Sequence, residues 1–124
     1  MGHPFAEIII GEDNPADARL ITLCLEEYGL PLEVKTFHSG RALQEHLSES
    51  GLPNVPTYLF LDFFLTEIEG PRLLKWIRSK EGISPLPVIM MSGSYLEEVR
   101  EKSYEFGGNY FLEKSTDPEQ FFRE

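Results

Sequence analysis

The stretch Tyr58-Leu59-Phe60-Leu61-Asp62 runs four large apolar residues straight into one carboxylate. A short, continuous apolar run with turn residues on both sides is typical of a strand that is buried on both faces of a parallel sheet. An unpaired carboxylate is costly inside a protein, because burial disfavours its charged form. Asp62 is therefore predicted to lie where the strand leaves the core and opens to water, a metal or a ligand.

The length and the charge balance limit the functions to be considered. At 124 residues the chain can bury a core without disulfides, and we expect one domain over residues 1–124. It has 11 basic and 21 acidic residues, giving a net charge of −10. This balance argues against direct nucleic-acid binding, which relies on basic patches. It is compatible with a cation site or basic protein partners, and also with an acidic surface that has no specific role.

The sequence predicts neither a disulfide nor a membrane segment. The single cysteine, Cys24, lies in a helical pattern and is expected to be a buried thiol. The apolar runs are far shorter than the roughly 20 residues of a membrane span, so we expect no membrane contact. No basic-then-apolar signal peptide opens the chain, which predicts a cytoplasmic location.

Short apolar runs alternate with helical patterns along the chain. Capping residues and prolines mark the predicted helix starts, and glycines mark several of their ends. The predicted strands are residues 5–10, 33–38, 58–62, 88–91 and 109–112, and the predicted helices begin at Asn14-Pro15, Ser39, Pro71, Ser94 and Asp117-Pro118. This alternation predicts a doubly wound α/β fold, with a parallel sheet covered on both faces through right-handed crossovers.

Reactive side chains follow four of the five predicted strands. Glu12 and Asp13 come after the first strand, Asp62 ends the third, Ser92 follows the fourth and Lys114 follows the fifth. Parallel strands end at one edge of the sheet, where such folds bind ligands, so we expect these side chains to share one crevice. Each residue alone is also ordinary at a helix start, in a turn or on a surface. Their joint placement is what favours a functional site.

The chemistry of this set of residues indicates a cation and a phosphoryl group. Three carboxylates in one crevice repel each other, so that either a pKa rises or a cation binds. Oxygen ligands favour Mg2+, and no Cys/His pair is spaced for zinc. A carboxylate beside bound Mg2+ can attack phosphorus to form an aspartyl-phosphate. Ser92 and Lys114 would then donate hydrogen bonds to the phosphoryl oxygens.

The chain resembles the receiver domain of two-component response regulators over essentially its whole length. The matching residues are Glu12, Asp13, Asp62, Gly70, Ser92, Phe111 and Lys114. The phrase Glu-Asp-Asn-Pro-Ala-Asp at 12–17, with long loops at 51–57 and 79–87, is most similar to the small phytochrome-associated, single-domain regulators. The resemblance implies a flavodoxin-like fold with a five-stranded parallel sheet in the order 2-1-3-4-5.

The resemblance also implies a role for each carboxylate. Asp62 would accept a phosphoryl group from a histidine kinase or a histidine phosphotransfer protein. Asp13, Asp62 and the backbone carbonyl of Phe64 would bind Mg2+ directly, while Glu12 would act through water. The chain would then be a signalling domain rather than an enzyme, with at most self-phosphorylation and self-dephosphorylation activity.

The same resemblance implies that three further residues bind the phosphoryl group or change conformation when it is present. Ser92 and Lys114 would bind it, Ser92 would move toward it, and Phe111 would turn inward into the vacated space. Output would pass to a downstream protein through the face formed by the fourth helix, fifth strand and fifth helix. The same face would serve a homodimer, should one form.

Four positions depart from the usual receiver pattern. Phe64 is larger and less polar than common occupants, Thr66 and Ser115 stand where prolines are usual, and Phe111 lacks a tyrosine hydroxyl. We nevertheless expect a cis peptide between Lys114 and Ser115, although a cis bond before serine costs about 2.5–4 kcal/mol.

Two other functions are compatible with the same residues. One is a phosphorylation-independent interaction module on the same fold. The other is an aspartyl-phosphate phosphatase, which the sequence favours less. Haloacid-dehalogenase-type hydrolases have a second aspartate two residues after the nucleophile, whereas this chain has Phe64.

Overall fold

A computed structural model describes residues 5–93 and 96–114 of the chain. Within them, five strands alternate with four helices: β1 (Ala6–Gly11), α1 (Pro15–Glu26), β2 (Leu32–Phe37), α2 (Gly40–Ser50), β3 (Thr57–Asp62), α3 (Gly70–Ser79), β4 (Val88–Ser92), α4 (Glu97–Glu105) and β5 (Tyr110–Glu113). The predicted strands are all present, with bounds shifted by no more than one residue. The predicted fifth helix lies outside the described residues. Helix α4 begins at Glu97 with Leu96 as its N-cap, so the predicted start of this helix at Ser94 is wrong.

The strands form one parallel sheet in the order β2-β1-β3-β4-β5. This confirms the predicted flavodoxin-like topology. The edge strand β2 is only partly buried, as expected for its alternating sequence, whereas every residue of β1 is buried. In β3, Tyr58 is 39% exposed at the amino end of the strand, so full burial on both faces is wrong for this residue.

Apolar side chains pack on both faces of the sheet. On one face, α1 contributes Ala18, Ile21, Cys24 and Leu25. The other face carries the larger cluster, to which α2, α3 and α4 contribute residues such as Leu43, Leu74 and Val99. The buried position of the Cys24 thiol is confirmed, and burial raises its pKa. None of the helices among the described residues is long and apolar enough to cross a membrane.

The helix starts agree only in part with the capping prediction. The Asn14 side chain accepts hydrogen bonds from the first turn of α1, and Ser39 does so for α2. Helix α3 begins one residue earlier than predicted, at Gly70, and its N-cap Glu69 makes no side-chain capping bond. Gly70 is fixed by tertiary packing instead. A Cβ atom there would lie 2.5 Å from the Asp62 carbonyl oxygen and 2.9 Å from the Phe63 Cα atom.

Arg78, near the end of α3, binds the loop between α3 and β4 and the loop between α4 and β5. Its guanidinium donates five hydrogen bonds of 2.6–3.0 Å, to the carbonyls of Ser84, Leu86 and Gly107 and to the Asn109 side chain. The Asn109 Oδ1 atom also accepts a bond from the Val88 N–H group at 2.8 Å. The planar guanidinium thereby satisfies three backbone carbonyls of these loops.

Replacing Arg78 should therefore destabilise the fold without touching the carboxyl edge of the sheet. We expect Arg78→Met to lower the free energy of unfolding by about 2–4 kcal/mol, because it leaves part-buried carbonyls unsatisfied. Urea denaturation followed by circular dichroism measures this. Arg72→Met, on an exposed position of the same helix, is the matched control and should change stability by less than about 0.5 kcal/mol. Equal effects of the two variants would contradict the role given to Arg78.

Candidate metal centre at the carboxyl edge of the sheet

Three carboxylates converge where β1 and β3 end. The two strands are paired, with Gly11 beside Leu61, so that Glu12 and Asp13 follow one strand where Asp62 ends the other. One oxygen from each of Glu12, Asp13 and Asp62 lies within 4.8 Å of the others. Glu12 and Asp62 are buried and Asp13 is partly exposed. The predicted gathering of these side chains is thus present in the fold.

Glu12 is the most deeply buried of the three acids. Its side chain is fully inaccessible, and Oε2 accepts a hydrogen bond from the Asn14 N–H group at 3.1 Å. Oε1 lies 2.6 Å from the Lys114 ammonium, but no donor in the described residues meets it with good hydrogen-bond geometry. Burial raises the pKa of Glu12 from 4.5 to about 7; the Lys114 ammonium opposes this shift and the charge of Asp62 adds to it.

Lys114 brings its ammonium into the middle of the cluster. The Nζ atom lies 2.6 Å from Glu12, 3.0 Å from Asp17 and 3.3 Å from Asp62. Burial alone would lower the pKa of Lys114, but these carboxylates together raise it, so the ammonium stays charged. The backbone N–H group of Lys114 donates to the Ser92 carbonyl at 2.9 Å. This bond fixes the position of the Lys114 backbone beside the end of β4.

Asp17 is a member of this cluster that the sequence analysis did not identify. Asp17 is the last residue of the phrase at 12–17, and an acid in the first turn of a helix is ordinarily explained by the positive end of the helix dipole. In the fold, its Oδ2 atom accepts a hydrogen bond from Lys114, 97 residues away in the chain. The sequence did hold one signal for this position. Helix α1 begins two residues after Asp13, so an acid in its first turn lies close to the predicted acid pair.

Asp62 is held at both carboxylate oxygens. Oδ1 accepts a hydrogen bond from the Phe64 N–H group at 3.1 Å, and Oδ2 faces Lys114. The following loop is fixed by two backbone bonds, from Phe63 N–H to the Met91 carbonyl and from Gly70 N–H to the Phe63 carbonyl. The Phe64 side chain is 54% exposed and meets Phe63 edge-on, with ring centroids 4.9 Å apart.

Ser92 and Phe111 both lie in the interior beside this edge. Ser92 ends β4 and is 1% exposed, one residue beyond the Met91 position that pairs with Asp62. Phe111 is 8% exposed and already packs in the larger apolar cluster. The movement of Ser92 and the inward turn of Phe111 on phosphorylation stay predictions. The predicted cis peptide at 114–115 lies outside the described residues, because Ser115 is not among them.

The donor set of the cluster fits a divalent metal ion. Its three acids offer only oxygen ligands, and Glu12 has a fully buried oxygen without a well-placed donor. Glu12 and Asp62 share the nearby ammonium with Asp17, and Asp13 adds a further carboxylate, so negative charge remains in excess. Hard oxygen ligands with residual negative charge suit Mg2+, Mn2+ or Ca2+ rather than zinc.

The response regulator receiver domain family matches residues 8–124, and the chain therefore belongs to that family. Over 125 residues it is 27% identical to the response regulator Rcp1 of Synechocystis sp. strain PCC 6803, covering 98% of this chain and 84% of Rcp1. These matches confirm the resemblance to receiver domains and to phytochrome-associated regulators, and receiver domains bind a divalent metal.

Two solved structures show how closely the fold is shared. The phosphorylated cyanobacterial phytochrome response regulator RcpA superposes with a TM-score of 0.83 at 30% identity, covering 98% of this chain and 88% of RcpA. The Mn2+-bound form of Rcp1 superposes with a TM-score of 0.80 at 28% identity, covering 94% of this chain and 86% of that one.

The raised pKa of Glu12 predicts a pH-dependent response to metal. Since its pKa is about 7 in the fold against an ordinary 4.5, the metal-free fold loses stability as the pH rises through this interval. A metal needs the ionised carboxylates and relieves their repulsion. Millimolar Mg2+ should therefore raise the melting temperature more at pH ~8 than at pH ~5.5.

The control for this measurement is a pair of variants with the same change of charge. Asp13→Asn removes a carboxylate of the cluster and should abolish most of the Mg2+ effect. Glu45→Gln neutralises an exposed acid on α2 and should leave the effect intact. If Mg2+ leaves the melting temperature of the wild type unchanged at both pH values, there is no metal site here.

Proposed function

We propose that this chain, as one receiver domain over residues 1–124, is a phosphoacceptor switch in a two-component phosphorelay. The observation that carries the proposal is the environment of Asp62. Its carboxylate ends the central strand, is 5% exposed, and lies beside two other acids and one ammonium. Family membership supports the same assignment, because the resemblance to receiver domains implies that Asp62 is the residue that accepts the phosphoryl group.

The phosphoryl donor is a phosphohistidine of a histidine kinase or a histidine phosphotransfer protein. An Asp62 carboxylate oxygen attacks phosphorus, the phosphorus–nitrogen bond of the donor breaks, and its electron pair returns to the imidazole ring. The product is an acyl phosphate on Asp62. Lys114, already 3.3 Å from Asp62 Oδ2, and the buried Ser92 hydroxyl would donate to the phosphoryl oxygens.

The metal in this proposal is Mg2+. Asp13, Asp62 and the Phe64 backbone carbonyl would hold it directly, and Glu12 would hold it through water. When bound, it neutralises charge on the phosphoryl oxygens as the acyl phosphate forms. The residues of the chain orient the nucleophile: the Phe64 N–H group holds one Asp62 oxygen and leaves the carboxylate turned toward Lys114.

The output is a contact with a downstream protein in the cytoplasm. Ser92 and Phe111 would serve as switch residues and change the face made by α4, β5 and the fifth helix that the sequence predicts. This face would also serve a homodimer. A net charge of −10 supports protein partners over nucleic acid or a membrane surface, which are polyanionic. The catalytic capacity of the chain is limited to its own phosphorylation and dephosphorylation.

Asp62→Asn tests the phosphoacceptor assignment. The amide is nearly isosteric but a poor nucleophile, so the variant should keep its fold and incorporate no detectable phosphoryl group. Incubation with acetyl phosphate and Mg2+, followed by intact-mass and peptide mass spectrometry, measures the extent and position of labelling.

Glu67→Gln is the matched control for that experiment. It removes an exposed carboxylate from the same loop, where Glu67 pairs with Arg41 at 3.7 Å, and it should be labelled like the wild type. Labelling of Asp62→Asn at the wild-type level would refute the assignment. A wild-type chain that is never labelled but still binds its partner would favour the phosphorylation-independent module.

Phe64 should lengthen the lifetime of the phosphoryl group. Its exposed ring lies two residues after Asp62, a position from which it would hinder a water in line with phosphorus. We expect Phe64→Asn to shorten the half-life of the aspartyl-phosphate roughly three- to tenfold, a change of about 1 kcal/mol in the barrier. Thr66→Asn is the control, since the Thr66 side chain faces the His38 carbonyl instead. Equal half-lives for wild type and Phe64→Asn would show that the ring does not obstruct the water.

A further inference from the structure

A cavity of about 390 Å3 opens between α3 and α4, apart from the carboxylate cluster. Its apolar lining comes from Phe63, Pro71 and Phe106. Phe63 is 8% exposed and belongs to the larger apolar cluster, against which the half-buried Phe106 also packs. The core of the domain therefore reaches the surface at this point, which makes the cavity suited to an apolar side chain.

The rim of the cavity is basic, although the protein is strongly acidic. Arg72, Lys75 and Lys102 line it, with Glu69 as the only acid among the lining residues. Arg72 and Lys75 are exposed and form no ion pair within the part of the chain that the structure describes. Lys102 pairs with Glu98 at 3.6 Å, an exposed contact of little strength.

Some other cations in the described ranges have partners and others form no ion pair, so what distinguishes this rim is that its unpaired cations lie beside an apolar cavity. Lys35, Arg41 and Lys114 each have a carboxylate partner, and Arg78 is saturated by backbone and Asn109 oxygens. Two unpaired cations beside an apolar cavity in a protein with a net charge of −10 form a locally positive surface.

We propose that this cavity docks an acidic segment of a partner protein, with one aromatic or aliphatic side chain flanked by carboxylates. The apolar side chain would lie against Phe63 and Phe106, and the carboxylates would face Arg72, Lys75 and Lys102. A short acidic segment interacts mainly with charges within a Debye length of about 8 Å, and these are the basic residues of the rim. An extended polyanion would also be repelled by the acidic surface around the rim. Charge complementarity thus selects a short acidic segment.

Docking here would contact the loop that carries Asp62. Phe63 directly follows Asp62, and its backbone is fixed to Met91 and Gly70. A side chain bound in the cavity therefore contacts the loop that directly follows Asp62, the proposed phosphorylation site. This coupling rests on the proposed function, but the docking itself does not, and it is measured on the unphosphorylated chain.

The test uses a peptide with one phenylalanine flanked on each side by two glutamates. Titration into the 15N-labelled full chain should shift the amide signals of Lys75, Lys102 and Phe106, with a dissociation constant of ~0.1–1 mM. Replacing the phenylalanine by alanine, or the glutamates by glutamines, should each weaken binding roughly fivefold or more. Raising the salt concentration should weaken it as well.

Lys75→Glu and Lys80→Glu form the matched pair of variants. Both residues are exposed and lie at α3, both changes alter the charge equally, and Lys80 lines a different cavity. Lys75→Glu should weaken peptide binding roughly tenfold, and Lys80→Glu less than about twofold. Unchanged melting temperatures would confirm that both variants are folded.

Three results would overturn the proposal. The first is the absence of shifts around the cavity, and the second is equal binding of the acidic and the glutamine peptide. The third is a different occupant: Lys75-dependent binding of phosphatidylserine vesicles without peptide binding, or a dimer that Lys75→Glu dissociates, would assign the surface to a membrane or to a second copy.

Discussion

Mutual repulsion of clustered carboxylates is the constraint on which the carboxyl edge of the sheet depends. Glu12, Asp13 and Asp62 lie within 4.8 Å of one another, and like charges at this distance are tolerated only with a cation or a proton between them. The Lys114 ammonium supplies part of the compensation from the far end of the chain. In doing so it links the ends of β1, β3 and β5, so the electrostatics of the site also hold the sheet edge together.

The sequence was sufficient for the parts of the fold that obey local rules. Buried parallel strands are continuous apolar runs, and Asn14 and Ser39 carry the capping information for their own helices. The carboxylate cluster was predictable for a topological reason: parallel strands all end at one edge, so residues that follow different strands meet there. Five strands, their order and the convergence of Glu12, Asp13 and Asp62 followed from these rules and from the family resemblance.

What the sequence did not reveal depends on contacts between distant segments. The pairing of Asp17 with Lys114 and the five hydrogen bonds of Arg78 join residues that carry no mutual signal in the sequence. The start of α3 was misplaced because Gly70 is fixed by close packing on Asp62 and Phe63, and no side chain caps that helix. The cavity between α3 and α4 is likewise a product of how two helices pack.

The hydrogen bonds of Arg78 give α4 two unequal ends. At its carboxyl end, Gly107 and Asn109 are bound to Arg78, and the Gly108 N–H group returns to the Ser103 carbonyl at 2.8 Å. At its amino end the N-cap is Leu96, whose side chain cannot accept a capping bond. Side-chain hydrogen bonds therefore hold the carboxyl end of α4 to α3 and to the loop before β5, whereas no side chain caps its amino end. Under the proposed function, a movement of Ser92 would shift the amino end more than the carboxyl end, and so would change the angle of α4 to the sheet.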